Sequence, residues 1–264
     1  MKEILFWCEF PKKTNWDLVN KEIDFKTEIY IAAQSLEEFL RYKNKIKNKN
    51  IKVGVWPTLS KEEGYWFSGF TDKKLINKLD DFKEFNIKID LEPPTFKGKW
   101  TTIKALSYFI KYYVKKPKNR EYLERKIESL KNKKIILSPT IPMFYVKKTS
   151  GLIDNKRFYY NSVYPMIYTS MVSRPMRAFF RMFFRFFYGN LKRKHNNTYV
   201  ALGCLDVGIY GNEGIYKDIK ELKKDMDYMQ KLNIDKIVIF EISGLFNKKD
   251  YKNWLNLIKS YLSK

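Results

Sequence analysis

Eight short runs rich in β-branched and aromatic residues recur along the chain, separated by longer lysine-rich segments. The runs span residues 4–9, 28–33, 52–56, 87–92, 134–140, 162–168, 199–206 and 236–241. Strands that alternate with amphipathic helices form parallel sheets, because each helix returns the chain to the starting end of the sheet. Eight such units, with no Gly-, Pro- or Ser-rich linker between them, predict one closed (β/α)8 TIM barrel over residues 1–264.

The segments between the runs contain the predicted helices. Ser35 is an N-cap with Glu38 three residues on, which is a capping box and predicts a helix over residues 35–49. Further helices are predicted over residues 71–85, 100–115, 216–232 and 248–262. Long loops at 57–70 and 141–161 follow the third and fifth strands, on the barrel face that carries function.

The charge is unusual, with 52 Lys and Arg against 29 Asp and Glu, a net charge of +23. Most of the excess is lysine spread along predicted helices, which favours a solvated surface, and no nucleic-acid-binding motif accompanies it. Cys8 and Cys204 lie in separate predicted strands and outside any CxxC pair, so we expect buried thiols in a reducing compartment. With neither a signal peptide nor a spanning segment predicted, we expect a cytoplasmic protein that binds no nucleic acid.

Acidic residues cluster at the predicted strand ends. Glu9 ends the first strand, Asp90 and Glu92 end the fourth, Asp206 ends the seventh and Glu241 ends the eighth. The carboxyl ends of barrel strands point into the active-site mouth. The sequence therefore predicts an acidic site at this face.

Asp90 and Glu92 are the most informative of these acids. Two residues apart on a strand, they project to one side with backbone positions roughly 6.6 Å apart. Close carboxylates raise one pKa, which leaves one group protonated and able to act as a general acid at a glycosidic oxygen. The alternative is that they pair with Lys88 or an arginine. Pro93 ends the strand and favours the catalytic interpretation by fixing the direction of Glu92.

The segment Lys88-Ile89-Asp90-Leu91-Glu92 resembles the end of the strand-four motif DxxDxDxE of family 18 glycoside hydrolases, the chitinase-like barrels. The resemblance implies that Glu92 protonates the leaving oxygen and that Asp90 orients the substrate N-acetyl group, which acts as the internal nucleophile. Tyr164-Pro-Met-Ile-Tyr168 is similar to the family's Met-x-Tyr segment, which implies that Tyr168 contacts the acetamido group.

The chain also departs from the family pattern. Phe85 and Lys88 stand where the motif has its first two acids, strand three lacks Ser-x-Gly-Gly, and Glu241 stands where the family tends to have Trp. These departures keep open an alternative function, a non-catalytic or membrane-associated barrel that serves as a glycan-binding scaffold.

Aromatic residues near the strand ends suit a carbohydrate ligand, because their faces stack on sugar rings. The candidates are Trp7, Trp56, Trp66 and Tyr65, with core packing as the alternative for Trp7. The single histidine, His195, stands in a basic loop, so we predict no metal and no cofactor. A carboxylate-bound metal at the strand-end acids remains a less favoured alternative.

The segment 174–188 alternates arginine with paired phenylalanines. At helical spacing Arg177, Arg181 and Arg185 form one stripe, and a wide aromatic face includes Phe183 and Phe184. A barrel helix with an aromatic core face is the plainest interpretation. The alternatives are a helix lying on an anionic membrane surface or a homodimer contact. For the whole chain, the leading hypothesis is a glycosidase-like barrel that acts on or binds a carbohydrate.

Overall fold

The computed structural model describes residues 1–95, 97–99, 101–130, 134–138, 162–194 and 198–262. Its strands are β1 (Glu3–Cys8), β2 (Thr27–Ala33), β3 (Ile51–Pro57), β4 (Ile87–Asp90), β5 (Ile135–Ser138), β6 (Ser162–Val163), β7 (Met166–Ile167), β8 (Val200–Gly203) and β9 (Lys236–Phe240). Its helices are α1 (Trp16–Glu22), α2 (Leu36–Lys43), α3 (Lys73–Ile76), α4 (Thr102–Val114), α5 (Arg120–Ser129), α6 (Arg174–Lys194), α7 (Ile219–Lys231), α8 (Ile242–Phe246) and α9 (Tyr251–Ser260).

All strands join one parallel sheet in the order β6-β5-β4-β3-β2-β1-β9-β8-β7. The predicted sixth strand is split, because Ser162–Val163 pairs with β5 whereas Met166–Ile167 pairs with β8. Only Tyr164 and Pro165 separate these two edge strands. Proline has no backbone N–H for a ladder, which explains the break in the strand. The fold is therefore a barrel-like parallel α/β sheet whose edge strands adjoin in sequence.

The alternation of side chains divides the interior into two clusters. Ile4, Phe6 and Cys8 face the helices, whereas Leu5 and Trp7 face the opposite side of the sheet. The second cluster gathers residues from seven strands and their ends: Leu5, Trp7, Tyr30, Ala32, Trp56, Ile136, Tyr164, Met166, Tyr199, Ala201, Cys204, Val238 and Phe240. Side chains from strands so distant in the sheet meet only because the sheet curls around them. Both cysteines are buried free thiols.

The helices lie near their predicted positions but differ in length. Ser35 accepts the Glu38 N–H as an N-cap, and the Glu38 carboxylate accepts the N–H of Gln34. Helix α2 ends at Lys43 because the polar segment after it turns, with Asn48 bonding back to the Asn20 and Ile23 carbonyls. The predicted helix 71–85 forms only α3 followed by a 3-10 turn over Asn77–Phe82. Its first turn carries lysines and no acid, which opposes the helix dipole.

The predicted loop 141–161, the end of the fifth predicted strand and His195 lie outside the described residues. Within the described ranges, none of the helices combines the length and apolarity needed to cross a bilayer.

Candidate active site

A cavity of about 140 Å³ opens at the carboxyl ends of the strands. Its lining combines acids, aromatic rings and two prolines: Glu9, Trp56, Trp66, Asp90, Glu92, Pro93, Pro94, Tyr108, Met166, Tyr168, Met171, Cys204, Gly208, Ile209, Tyr210, Glu213 and Phe240. These residues come from separate strand ends, from the loops after β3, β4 and β8, from the 3-10 turn after β7 and from α4. The mouth of the sheet is thus a concave, largely aromatic site with several carboxyl groups.

Asp90 forms a buried ion pair with Lys88 at the floor of this cavity. The Lys88 ammonium donates to Asp90 Oδ2 at 2.9 Å and lies 2.8 Å from Oδ1. The ammonium also sits 3.8 Å from the Trp7 ring centroid and 3.1 Å from that of Trp56, where the aromatic faces favour a cation. Burial lowers the pKa of Lys88 to about 8, against the opposing attraction of Asp90. Asp90 therefore follows the alternative interpretation, in which the acid pairs with Lys88.

Glu92 follows the end of β4, is half-buried and lines the same cavity as Asp90. Burial, followed by repulsion from the Asp90 carboxylate, raises the pKa of Glu92 well above its usual range. The positive charge of Lys88 opposes this rise but is smaller in effect. A carboxyl group whose pKa is raised by burial and a negative neighbour retains a proton to higher pH than an exposed glutamate, which is the property that a general acid needs.

A second carboxyl pair lies beside the first. The Glu9 backbone N–H donates to Glu241 Oε2, and the Tyr65 hydroxyl donates to Glu9 Oε1 at 2.9 Å. Glu9 Oε2 receives no hydrogen bond from the described part of the chain. Burial and the charge of Glu241 raise the pKa of Glu9 to about 8, and burial raises the pKa of Glu241 to about 7.

These raised pKa values predict a pH dependence of stability. Protons that the folded state binds and the unfolded state releases stabilise the fold in acid, and this contribution is lost as pH rises from about 4.5 to about 8. Replacing Glu9 by Gln keeps an acceptor for Tyr65 but removes the titration. Between pH 5 and pH 8 we expect the wild type to lose about 3 kcal/mol more unfolding free energy than Glu9→Gln, because only the wild type carries this titrating group. Urea unfolding at both pH values measures this, and parallel curves for the two proteins would contradict it.

Some predicted site residues line the cavity and others do not. Trp56, Trp66 and Tyr168 line it with Glu9, and Tyr168 stacks on Phe240 with ring centroids 5.5 Å apart. Trp7 is fully buried below the cavity, in agreement with the core alternative.

The other two strand-end acids have local structural contacts. Asp206 accepts the N–H of Val207 and packs beside Gly244, away from the cavity lining. Glu241 is fully buried and caps helix α8 through the Ser243 N–H at 2.8 Å, and it contacts the cavity lining through the Glu9 backbone N–H. In the described ranges no group of three or more His, Cys, Asp or Glu side chains is arranged to hold a metal ion.

The cavity residues that were not predicted from the sequence include Glu213, Tyr210 and Tyr108. Glu213 and Tyr210 come from the glycine-spaced loop 208–214. Glu213 holds this loop by accepting the N–H groups of Tyr210 at 2.7 Å and Asn212 at 3.0 Å. Tyr108 reaches the cavity from α4, and its hydroxyl donates to the Thr95 carbonyl at 3.0 Å. The sequence feature that could have identified this loop as part of the site was its acid, Glu213, five residues after Gly208.

Several residues of helix α6 that were predicted to contact a membrane or a partner do not face outward. Arg177 is paired with Glu221 at 2.9 Å, and Arg181 with the buried Asp225 at 2.6 Å, so these arginines tie α6 to α7. Phe184 is fully buried in the core, which corrects its prediction as a membrane or partner contact. Arg185 and Phe183 are exposed.

Neither a protein-family model nor a curated protein matches this sequence. Solved structures do match its fold. The chain is similar to the PgaB (BpsB) glycoside hydrolase domain from Bordetella bronchiseptica, with a TM-score of 0.59 and 9% identity over 97% of this chain and 98% of that one. It is also similar to a family 18 chitinase from Crocus vernus, with a TM-score of 0.50 and 12% identity over 99% and 100% of the two chains. The chain therefore shares a barrel-like parallel α/β fold with these two glycoside hydrolases, one of which belongs to the family that the Asp90–Glu92 segment resembles.

Proposed function

We propose that this chain is a carbohydrate-active protein that cleaves N-acetylated glycosides with Glu92 as its general acid. The observation that carries the proposal is the position of Glu92, in an aromatic cavity with its pKa raised and beside an ion-paired Asp90. The barrel-like fold shared with glycoside hydrolases is consistent with it.

We also propose that the sheet closes as a full eightfold barrel, since its edge strands are two residues apart.

The proposed chemistry follows from the proton positions. Glu92 donates its proton to the glycosidic oxygen as the bond to the anomeric carbon breaks. The substrate's acetamido oxygen closes on that carbon, as in substrate-assisted hydrolysis. Asp90 accepts the acetamido N–H, and Tyr168 contacts the same group. Water then attacks the anomeric carbon, opens the five-membered ring that the acetamido group formed with it, and returns a proton to Glu92.

Lys88 has a positioning role in this proposal. Its ammonium balances the charge of Asp90 at 2.8 Å, which lets that carboxylate remain negative in a buried site. Glu92 consequently faces a fixed negative neighbour and keeps its own proton.

The aromatic wall accounts for sugar binding. Trp66 is half-buried, lines the cavity and contacts the rings of Tyr65 and Tyr210 at centroid distances of 5.6 and 6.3 Å. We expect Trp66→Ala to weaken binding of N-acetylglucosamine oligosaccharides about tenfold, because the stacking surface is lost. Calorimetric titration measures this. Tyr122→Ala, which removes an aromatic ring outside the cavity, is the control and should bind like the wild type.

A non-catalytic glycan-binding scaffold is the second candidate function. The Lys88–Asp90 pair favours it, because a lysine in the site can neutralise an acid that catalysis requires. Incubating the wild type with N-acetylglucosamine oligosaccharides and separating the products by chromatography distinguishes the two functions. Shorter oligosaccharides support hydrolysis, whereas tight binding without any product supports the scaffold.

A further inference from the structure

Helix α6 exposes an apolar face that the fold does not use. Met176, Phe179, Phe183 and Phe186 follow a spacing of three, four and three residues, which places them on one side of the helix. Their side chains are 49%, 56%, 38% and 72% exposed. Met182 extends this outward face.

The opposite side of the same helix already packs in the core, through the buried Phe184 and Tyr188. A barrel helix needs only one apolar side, so the outward one requires another explanation.

Basic residues flank this outward face. Arg174, Arg177 and Arg181 of α6 and Lys220 and Lys224 of α7 line a cavity of about 360 Å³. Asp218 and Glu221 also line it, and Arg177 and Arg181 are largely buried in their ion pairs with α7, so the exposed cations here are Arg174, Lys220 and Lys224. The Arg174 side chain is 67% exposed although it contacts Glu221, and Arg185 is exposed further along the helix. The chain as a whole carries a net charge of +23.

We propose that α6 docks on an anionic lipid bilayer, with its outward Phe and Met face at the boundary between headgroups and acyl chains. Apolar side chains on one side and cations along the flank match the two layers that such a helix meets. The helix would lie along the surface, since it is not apolar enough to span the bilayer. It begins three residues after Met171, which lines the candidate active site, so docking brings that site close to the membrane.

Co-sedimentation with vesicles tests the proposal. Wild type is mixed with vesicles of phosphatidylcholine alone and of phosphatidylcholine with phosphatidylglycerol, at low and high salt. The test variant is Phe179→Gln/Phe186→Gln, which keeps the charge and the core. Ile103→Gln/Val114→Gln is the matched control, because these apolar residues of α4 are 82% and 77% exposed. Circular dichroism and thermal unfolding establish that all three proteins are equally folded.

We expect the wild type and the α4 control to bind the anionic vesicles and to be released by salt, with the α6 variant bound roughly tenfold less. No binding by the wild type would overturn the proposal, as would equal binding to uncharged vesicles. Unchanged binding of the α6 variant would show attraction by charge alone and also overturn it. A dimer that the α6 substitutions dissociate, without vesicle binding, would identify a second copy as the occupant instead.

Discussion

Replacing Glu92 by Gln is expected to reduce turnover of N-acetylglucosamine oligosaccharides about 100- to 10,000-fold. The substitution keeps the size of the side chain but removes the proton that the leaving oxygen needs. Because Glu92 is proposed to be protonated before the reaction, the neutral amide resembles the resting state. Substrate affinity should consequently stay within about threefold of the wild type. Steady-state kinetics and calorimetry measure the two quantities separately.

Asp206→Asn is the matched control for this experiment. It neutralises another strand-end acid, but one that packs beside Gly244 and does not line the cavity. We expect its turnover to remain close to that of the wild type. Equal losses in both variants would mean that net acidity, and not the proton of Glu92, determines the rate.

Replacing Lys88 by Met is expected to lower the free energy of unfolding by about 3–5 kcal/mol. The substitution removes the ammonium group between Trp7 and Trp56 and leaves Asp90 buried with its principal cation gone. A buried carboxylate without a cation beside it has lost its hydrating water and gained no opposite charge, which destabilises the folded state. Urea unfolding at pH 7 measures the loss.

A second substitution separates the ion pair from the packing of the lysine chain. Adding Asp90→Asn to Lys88→Met removes the stranded charge, so most of the lost stability should return. If the double variant is as unstable as Lys88→Met alone, the cost comes from the packing of the Lys88 methylenes and not from Asp90. Both variants are expected to lose turnover, because each removes part of the proposed arrangement around Glu92.

The strand positions were predictable because burial on both sides of a parallel sheet demands nearly continuous apolar runs. Strands β1, β2, β3 and β9 each begin within one residue of the predicted start. The period of two residues also predicted that Asp90 and Glu92 project to one side, and both line the cavity although β4 ends at Asp90.

The partners of these residues were not predictable, because they depend on elements distant in sequence. The arginines of α6 pair with Glu221 and Asp225, which lie more than 40 residues further along the chain. Without those partners the arginine stripe looked free to contact a membrane. Likewise, the sequence suggested that Tyr65 stacks on a sugar, whereas its hydroxyl holds Glu9. A strand-end acid such as Glu241 is also indistinguishable from a helix cap until the following helix is known.

The most direct test of the proposed function compares two leaving groups in the Glu92→Gln variant. A dinitrophenyl N-acetylglucosaminide departs without protonation, whereas a sugar leaving group requires an acid. If Glu92 is the general acid, kcat/KM for dinitrophenol release, which reports only the bond-breaking step, should stay within about tenfold of the wild type in the variant, whereas kcat/KM for the oligosaccharide should fall about 100-fold or more. Equal losses on both substrates, or no loss on the oligosaccharide, would contradict the assignment of Glu92 as the acid.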